Sequence, residues 1–257
     1  MTQDHGRTAQ QHVGSAFKVA LAGGILAILA ALSMLGAGPA YRAELLALGD
    51  AFSMLRYAAF IALGAAALGL LALLMAAFTR RPFPALLGGL VIVAGLVLVA
   101  VPWLQLQQAS SVPPIHDITT DMQAPPAFDA LAAPRKAAPN AVDYPGEATA
   151  RQQRQAYPEV QPLLLNAPLA EVLAAAEAEA RDAGWEIAAV GDTRLEATAT
   201  TPWFGFQDDV VIRLAETADG VRVDMRSASR LGSSDMGTNA ARIRAFLEDL
   251  AQRVASA

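Results

Sequence analysis

The chain has no cysteine, so it has no disulfide framework, no thiolate metal site and no Cys nucleophile. Histidine is almost as scarce: His5 and His12 stand in the polar opening, and His116 is the last before the C-terminus. A Ser-His-Asp hydrolase would depend on His116 alone, and the chain has no G-x-S-x-G elbow to go with it. Lysine occurs once after residue 104, at Lys136, in a portion holding 13 Lys/Arg against 21 Asp/Glu. An acidic portion without clustered basic residues does not supply the phosphate contacts that nucleic acid demands. No motif implies a cofactor.

Charge is also missing from three long runs. Residues 19–35, 57–78 and 84–104 are apolar and uncharged. Each can cross a ~30 Å hydrocarbon core at about 1.5 Å per residue. The reading is a disordered polar leader over 1–16 and a three-span transmembrane region over 17–104. The first span stops at a Gly-Ala-Gly-Pro break, Gly36 to Pro39. Small residues such as Gly64, Ala65, Ala66 and Gly69 would let the spans approach closely. Trp103 suits an interfacial anchor.

Arg80 and Arg81 lie in a short loop without acidic neighbours, whereas Arg42 and Arg56 are accompanied by Glu44 and Asp50. The positive-inside rule then places Arg80, Arg81, Lys18 and the leader in the cytoplasm and everything after Leu104 outside. The expected location is the bacterial inner membrane, with a periplasmic C-terminal domain. If the first hydrophobic segment is instead a cleaved signal sequence, the tail still lies outside.

Residues 105–167 contain nine prolines and Ala-rich patches, which read as a tether with an extended segment at 113–121. The part around 144–154 reads as loosely held, with one helical turn near 148–155. Residues 168–257 read as an outer α+β domain. A helix spans 168–184, opening on Pro168 and closing on Gly184, with Leu169, Val172, Leu173, Ala176 and Ala180 along one stripe. Alternation then gives four antiparallel strands, with Leu195, Ala197, Val210, Ile212, Leu214, Val221, Val223 and Met225 facing inward. Ile243, Phe246, Leu247, Leu250 and Val254 mark a C-terminal helix starting near Thr238. The fold class is therefore three N-terminal transmembrane helices followed by a four-stranded antiparallel sheet packed on one face by two helices.

The charged positions test the register of the last hairpin. A turn centred on Asp219 and Gly220 would oppose Arg213 to Arg226. Shifting the reversal to 217–220 opposes Arg213 to Asp224 and Ile212 to Met225, which is better on both faces by roughly 0.2–1 kcal/mol per pair. A tight reversal at Phe204 and Gly205 would bring Glu196 opposite Arg213, predicting a row of Glu196, Arg213 and Asp224 across three strands.

Several groups offer chemistry. His116, Asp117 and Asp121 are metal-type ligands, but neighbours on an extended segment point to opposite sides, which favours capping or sheet-edge bonding over a metal site. Asp208 and Asp209 likewise face opposite ways, so they do not read as a proton-sharing pair. Arg226, Arg230 and Arg242, with Gly232, Asp235, Gly237 and Asn239, gather where a polar turn enters a helix. Amides and guanidinium forks there suit a carboxylate or phosphate. The plainer alternative is an internal Arg/Asp network holding the strand-to-helix connection. The candidate ligand-binding set is His116, Asp121, Arg213, Asp224, Arg226, Arg230, Asp235, Asn239 and Arg242.

The segments PPIHDITTD (113–121), FGFQDDVVIR (204–213) and DMRSASRLGSSDMGTNAARI (224–243) together resemble the domain-of-unknown-function family 1499, which includes bacterial membrane-anchored proteins. The resemblance runs from Pro113 to the C-terminus and implies no activity, cofactor or catalytic residue. Some members carry a cysteine in the opening segment, where this chain has IHDITTD. The functional expectation is a membrane-anchored module, not an enzyme. It would bind a lipid, an envelope component or a partner protein, without nucleic acid. The alternative is an envelope hydrolase using Asp residues and His116.

Overall fold

The computed structural model describes the backbone of residues 4–256 and the side chains of residues 14–256. All but the end of the leader read over 1–16 lies outside the residues whose side chains are described. The chain divides into two compact units, Met1–Gln107 and Gln108–Ala257.

The first unit is built from α1 (Asp4–Arg42), α2 (Leu48–Phe78) and α3 (Pro82–Ser111). Over Gly14–Arg42, Leu48–Phe78 and Pro82–Ser111 these helices have mean hydropathies of 2.3, 2.4 and 2.6 and are long enough to cross a membrane. The expected break at Gly36 to Pro39 does not occur, and α1 runs through it to Arg42. Pro39 sits in the last turn, so the hydrogen bond that its missing amide forgoes falls at the helix end and no long stretch of helix follows the disruption. The helix then closes with Leu45 N–H donating to Ala40 O at 2.9 Å and Glu44 in the left-handed region, φ 58°.

Glycine lets the spans meet backbone to backbone. A Cβ at Gly69 would lie 2.8 Å from Gly88 O, one at Gly88 would lie 2.7 Å from Gly69 O, and one at Gly95 would lie 2.7 Å from Ala62 O. No side chain fits at these crossings, so α2 and α3 approach as glycine-bearing membrane helices do.

The second unit is a six-stranded antiparallel sheet in the order β1-β6-β5-β4-β3, with β2 sharing the β6 edge. Its strands are β1 (Asp117–Thr119), β2 (Leu163–Leu165), β3 (Glu186–Val190), β4 (Arg194–Thr200), β5 (Gln207–Thr217) and β6 (Gly220–Ser229). The four strands read from alternation are β3 to β6. The two added ones are three residues each, too short to show a period.

One face is covered by α6 (Leu169–Asp182) and α7 (Thr238–Ala255). Val172, Ala176 and Ala180 of α6 and Ile243, Phe246 and Leu250 of α7 pack on Leu195, Ile212, Val223 and Met225. Trp185 stacks on Phe246 with ring centroids 5.1 Å apart.

Polar residues alternate onto the other face, and that face is covered as well. The segment after β1 crosses it through Phe128, Leu131 and the short α4 (Ala132–Lys136), and Phe128 and Leu131 pack on Val211 and Ala228. The segment is tied down by side chains of the sheet. Glu196 accepts the amides of Asp129 and Leu131 at 2.9 and 3.0 Å, and Arg226 Nη1 donates to Pro126 O at 3.2 Å.

Residues 144–154 are held more firmly than their polar sequence predicts. They belong largely to α5 (Glu147–Ala156), whose Gln153 is fully buried. Its amide group accepts from Thr119 N at 3.1 Å and donates to Thr119 O at 2.6 Å, so one side chain completes the free edge of β1 as a further strand would.

Candidate functional site

The hairpin register is the one that opposite charge favours: Arg213 opposes Asp224, Leu214 opposes Val223 and Ile212 opposes Met225. Arg213 Nη2 reaches Asp224 Oδ2 at 2.9 Å and Asp121 Oδ2 at 3.0 Å, and Arg222 binds the same two carboxylates from the flank. Glu196 does not join this row. The β4–β5 reversal spans 201–206, with Thr201 N–H donating to Phe206 O at 2.8 Å, so Glu196 opposes Val211 and Arg194 opposes Arg213. The loop is wider than the tight turn expected because Thr201 closes it through both its amide and its hydroxyl, which accepts from Phe206 N at 2.9 Å.

Each guanidinium of the candidate set has an internal carboxylate. Arg226, 2% exposed, donates to Asp117 through Nε and Nη2 at 2.9 and 2.7 Å. Arg230 donates to Asp209 through Nε and Nη2 at 2.9 and 2.8 Å, and Arg135 reaches the same carboxylate at 3.1 Å. Arg242 binds Asp208 at 2.6 Å. Asp208 and Asp209 thus serve opposite faces of the sheet, as adjacent strand residues must. Phe128 lies under two cations: the guanidinium carbons of Arg135 and Arg226 are each 4.7 Å from its ring centroid. Burial pushes the Arg135 guanidinium below its ordinary range, and the Asp209 and Asp117 carboxylates oppose that.

At the start of α7, Asp235 accepts the amides of Gly237 at 2.8 Å and Asn239 at 2.9 Å. The helix N-terminus is therefore occupied by the protein's own carboxylate. Burial raises the Asp235 pKa, and the two amides pull against that rise. Asn239 accepts from Ser227 Oγ at 2.7 Å and donates to His116 O at 3.0 Å, joining β6 to the segment entering β1. Asp121 has its pKa held below the ordinary range. Burial alone would raise it, but the amides of Ala124 and Gln123 and the Arg213 guanidinium prevail.

His116 stands apart from these pairs. It lines an open cavity of about 490 Å³ together with Pro114, Ile115, Asn140, Thr149, Gln152 and Ser233. Its Nδ1 is buried and makes no hydrogen bond among the described residues. The cavity wall holds no Asp, Glu, Lys or Arg. Hydroxyl and amide groups beside proline and isoleucine can bind a neutral polar group, but they provide neither a charged acid–base pair nor a counter-ion for an anion. Among the described residues no three His, Asp or Glu side chains gather as a metal site. Thr149 and Gln152 were not singled out from the sequence, because α5 carries no motif and only the tertiary fold turns it toward His116.

Comparison with known proteins adds a family and no activity. No curated protein matches the chain. A crystal structure of protein MLL2253 from Mesorhizobium loti is similar to 28% of this chain at 22% identity with a TM-score of 0.25, and the match spans 58% of that protein. The sequence profile described as "Protein of unknown function (DUF1499)" matches residues 117–250, more than half of the chain, with all six strands, the segment over the second face, α6 and α7 as far as Leu250. The chain belongs to that family.

Proposed function

We propose that this is a multi-pass protein of the bacterial inner membrane whose C-terminal domain stands in the periplasm, with the N-terminus cytoplasmic. That domain is a non-catalytic module that binds a lipid, an envelope component or a partner protein. The observation carrying the binding reading is the open cavity beside His116, whose wall of hydroxyl, amide and imidazole groups holds no carboxylate. A hydrolase built on His116 and an Asp fits less well. Asp117, Asp121, Asp208, Asp209 and Asp224 are engaged by arginine, and Asp235 by backbone amides. Of the remaining candidate residues, Asn239, Asp235 and Arg230 hold the cavity wall through His116 O, Ile115 O and Asn140 N, and the others are paired within the domain. The ligand expected there is uncharged and rich in hydroxyl or amide groups.

Thermal melting of the purified full chain with neutral envelope saccharide fragments tests the site. A rise in melting temperature that disappears in Gln152→Ala, with the unliganded melting point unchanged, supports it. An equal rise in that variant, or a response only to charged fragments, counts against it. The orientation rests on Arg80, Arg81 and Lys18, and a C-terminal alkaline phosphatase fusion that is active in cells supports it, because that enzyme works only outside the cytoplasm.

A further inference from the structure

Among the residues whose side chains are described, the end of the helical unit that carries the α2–α3 loop has charge of one sign. Lys18, Arg80 and Arg81 stand there without an ion pair to any described residue, and residues 14–24 and 72–90 contain no Asp or Glu. The same end has an apolar crevice of about 400 Å³, lined by Phe17 of α1 and by Arg81, Pro82, Phe83 and Pro84 where α3 begins. The Phe17 and Phe83 rings stack across it at 6.2 Å, and Phe83 is 61% exposed.

The crevice is held open by backbone constraints. Thr79 Oγ1 donates to Met75 O at 3.0 Å, and Arg81 N–H donates to Ala76 O at 2.9 Å, which satisfies the last carbonyls of α2 and fixes Arg81 at the rim. Pro82 and Pro84 fix φ on either side of Phe83. The start of α3 adds its positive helix end to the same place.

We propose that this crevice is a binding site for an anionic phospholipid, with its phosphate on Arg81 and an acyl chain against Phe17 and Phe83. The proposal rests on the reading that the three helices cross a bilayer, since only then does an apolar crevice rimmed by a guanidinium lie at headgroup depth. A basic pocket at the end of packed spans matches such a lipid in both its parts: the phosphate needs the cation, and the chain needs the aromatic walls. A free anion would use only the first.

Native mass spectrometry of the full chain in detergent, with phosphatidylglycerol or phosphatidylcholine added, reads the site directly. The expected result is selective retention of phosphatidylglycerol. Arg81→Gln should lower it about fivefold, the effect of one basic group near an anionic headgroup. Arg81→Lys keeps the retention and Phe83→Ala lowers it, while Arg56→Gln on the α2 side of the other loop leaves it unchanged. Equal retention of both lipids, an equal loss in Arg56→Gln, or displacement by inorganic phosphate would overturn the site. Alkaline extraction of cell membranes separates the two levels. A chain released by alkali overturns the spanning reading itself, whereas a chain that stays embedded without lipid selectivity overturns only the crevice.

Discussion

Arg226 and Asp117 are joined by two parallel hydrogen bonds of 2.9 and 2.7 Å although they are not register partners, Asp117 lying opposite Ala228 and Arg226 opposite Thr119. The guanidinium runs diagonally across β1, and both side chains are excluded from solvent, at 2% and 1% exposure. A buried pair of this kind tolerates joint replacement far better than the loss of one partner. Arg226→Ala is expected to cost about 3–5 kcal/mol, while the double variant Arg226→Met with Asp117→Leu regains a large share of it. Thermal or denaturant unfolding of the full chain in detergent checks both.

Gln153 should prove structural rather than ligand-binding. Gln153→Ala leaves the amide and carbonyl of Thr119 buried without partners, at about 1–3 kcal/mol. Hydrogen exchange should show faster exchange at Thr119 and its neighbours in β1, with the β4–β5 pairing unaffected.

The glycines of α2 and α3 divide into two classes. Gly88→Leu in α3, or Gly69→Leu opposite it, sets a side chain against backbone closer than 3 Å and is expected to lower yield and melting temperature of the membrane unit sharply. Gly64→Ala meets nothing within 4 Å and is expected to be neutral. Size-exclusion profiles of the three variants in one detergent compare them.

Two carboxylates give opposite pH dependence. The lowered Asp121 pKa means that its contribution is present above the ordinary carboxylate value, about 3.9, and is lost as pH falls through the folded value. The stability advantage of wild type over Asp121→Asn should therefore shrink on acidification below about 4. Asp235, with a raised pKa, stabilises most below the ordinary value and loses that contribution as pH rises through the folded one. Asp235→Asn should accordingly gain on wild type as pH rises above about 4. Melting temperatures across this range measure both differences.

Tyr144 provides a spectroscopic check on the covering segment. Burial, followed by the Asp117 charge, pushes its phenol up to about 12. Absorbance titration of Tyr144→Phe against wild type should remove a late-ionising phenol. A Tyr144 that titrates near 10, the ordinary value, would show that the segment over Arg226 opens.

What was legible in the residues follows their periods. The uncharged runs, the 3.6-residue stripes of α6 and α7 and the alternation of β3 to β6 each repeat several times, and the Arg213–Asp224 opposition fixed the hairpin register because the competing turn set two arginines together. The β4–β5 reversal was not legible, because Pro202 to Phe206 offers several turns of similar quality and the closing Thr201 hydrogen bonds leave no periodic mark. Nor was the pairing of Arg226 with Asp117 or of Arg230 with Asp209, since side-chain reach across strands depends on how the strands lie.

The sequence by itself determined three apolar helices, the helix-backed sheet and the inward-facing residues, because hydrophobic burial acts through local spacing that the chain carries along its length. Only the tertiary structure decided that the proline-rich segment covers the second face, that the arginines bind carboxylates from distant elements, and that α5 meets His116 beside a cavity. Those contacts join residues up to 109 positions apart, and such pairings are selected by packing and charge satisfaction in three dimensions rather than by any local pattern.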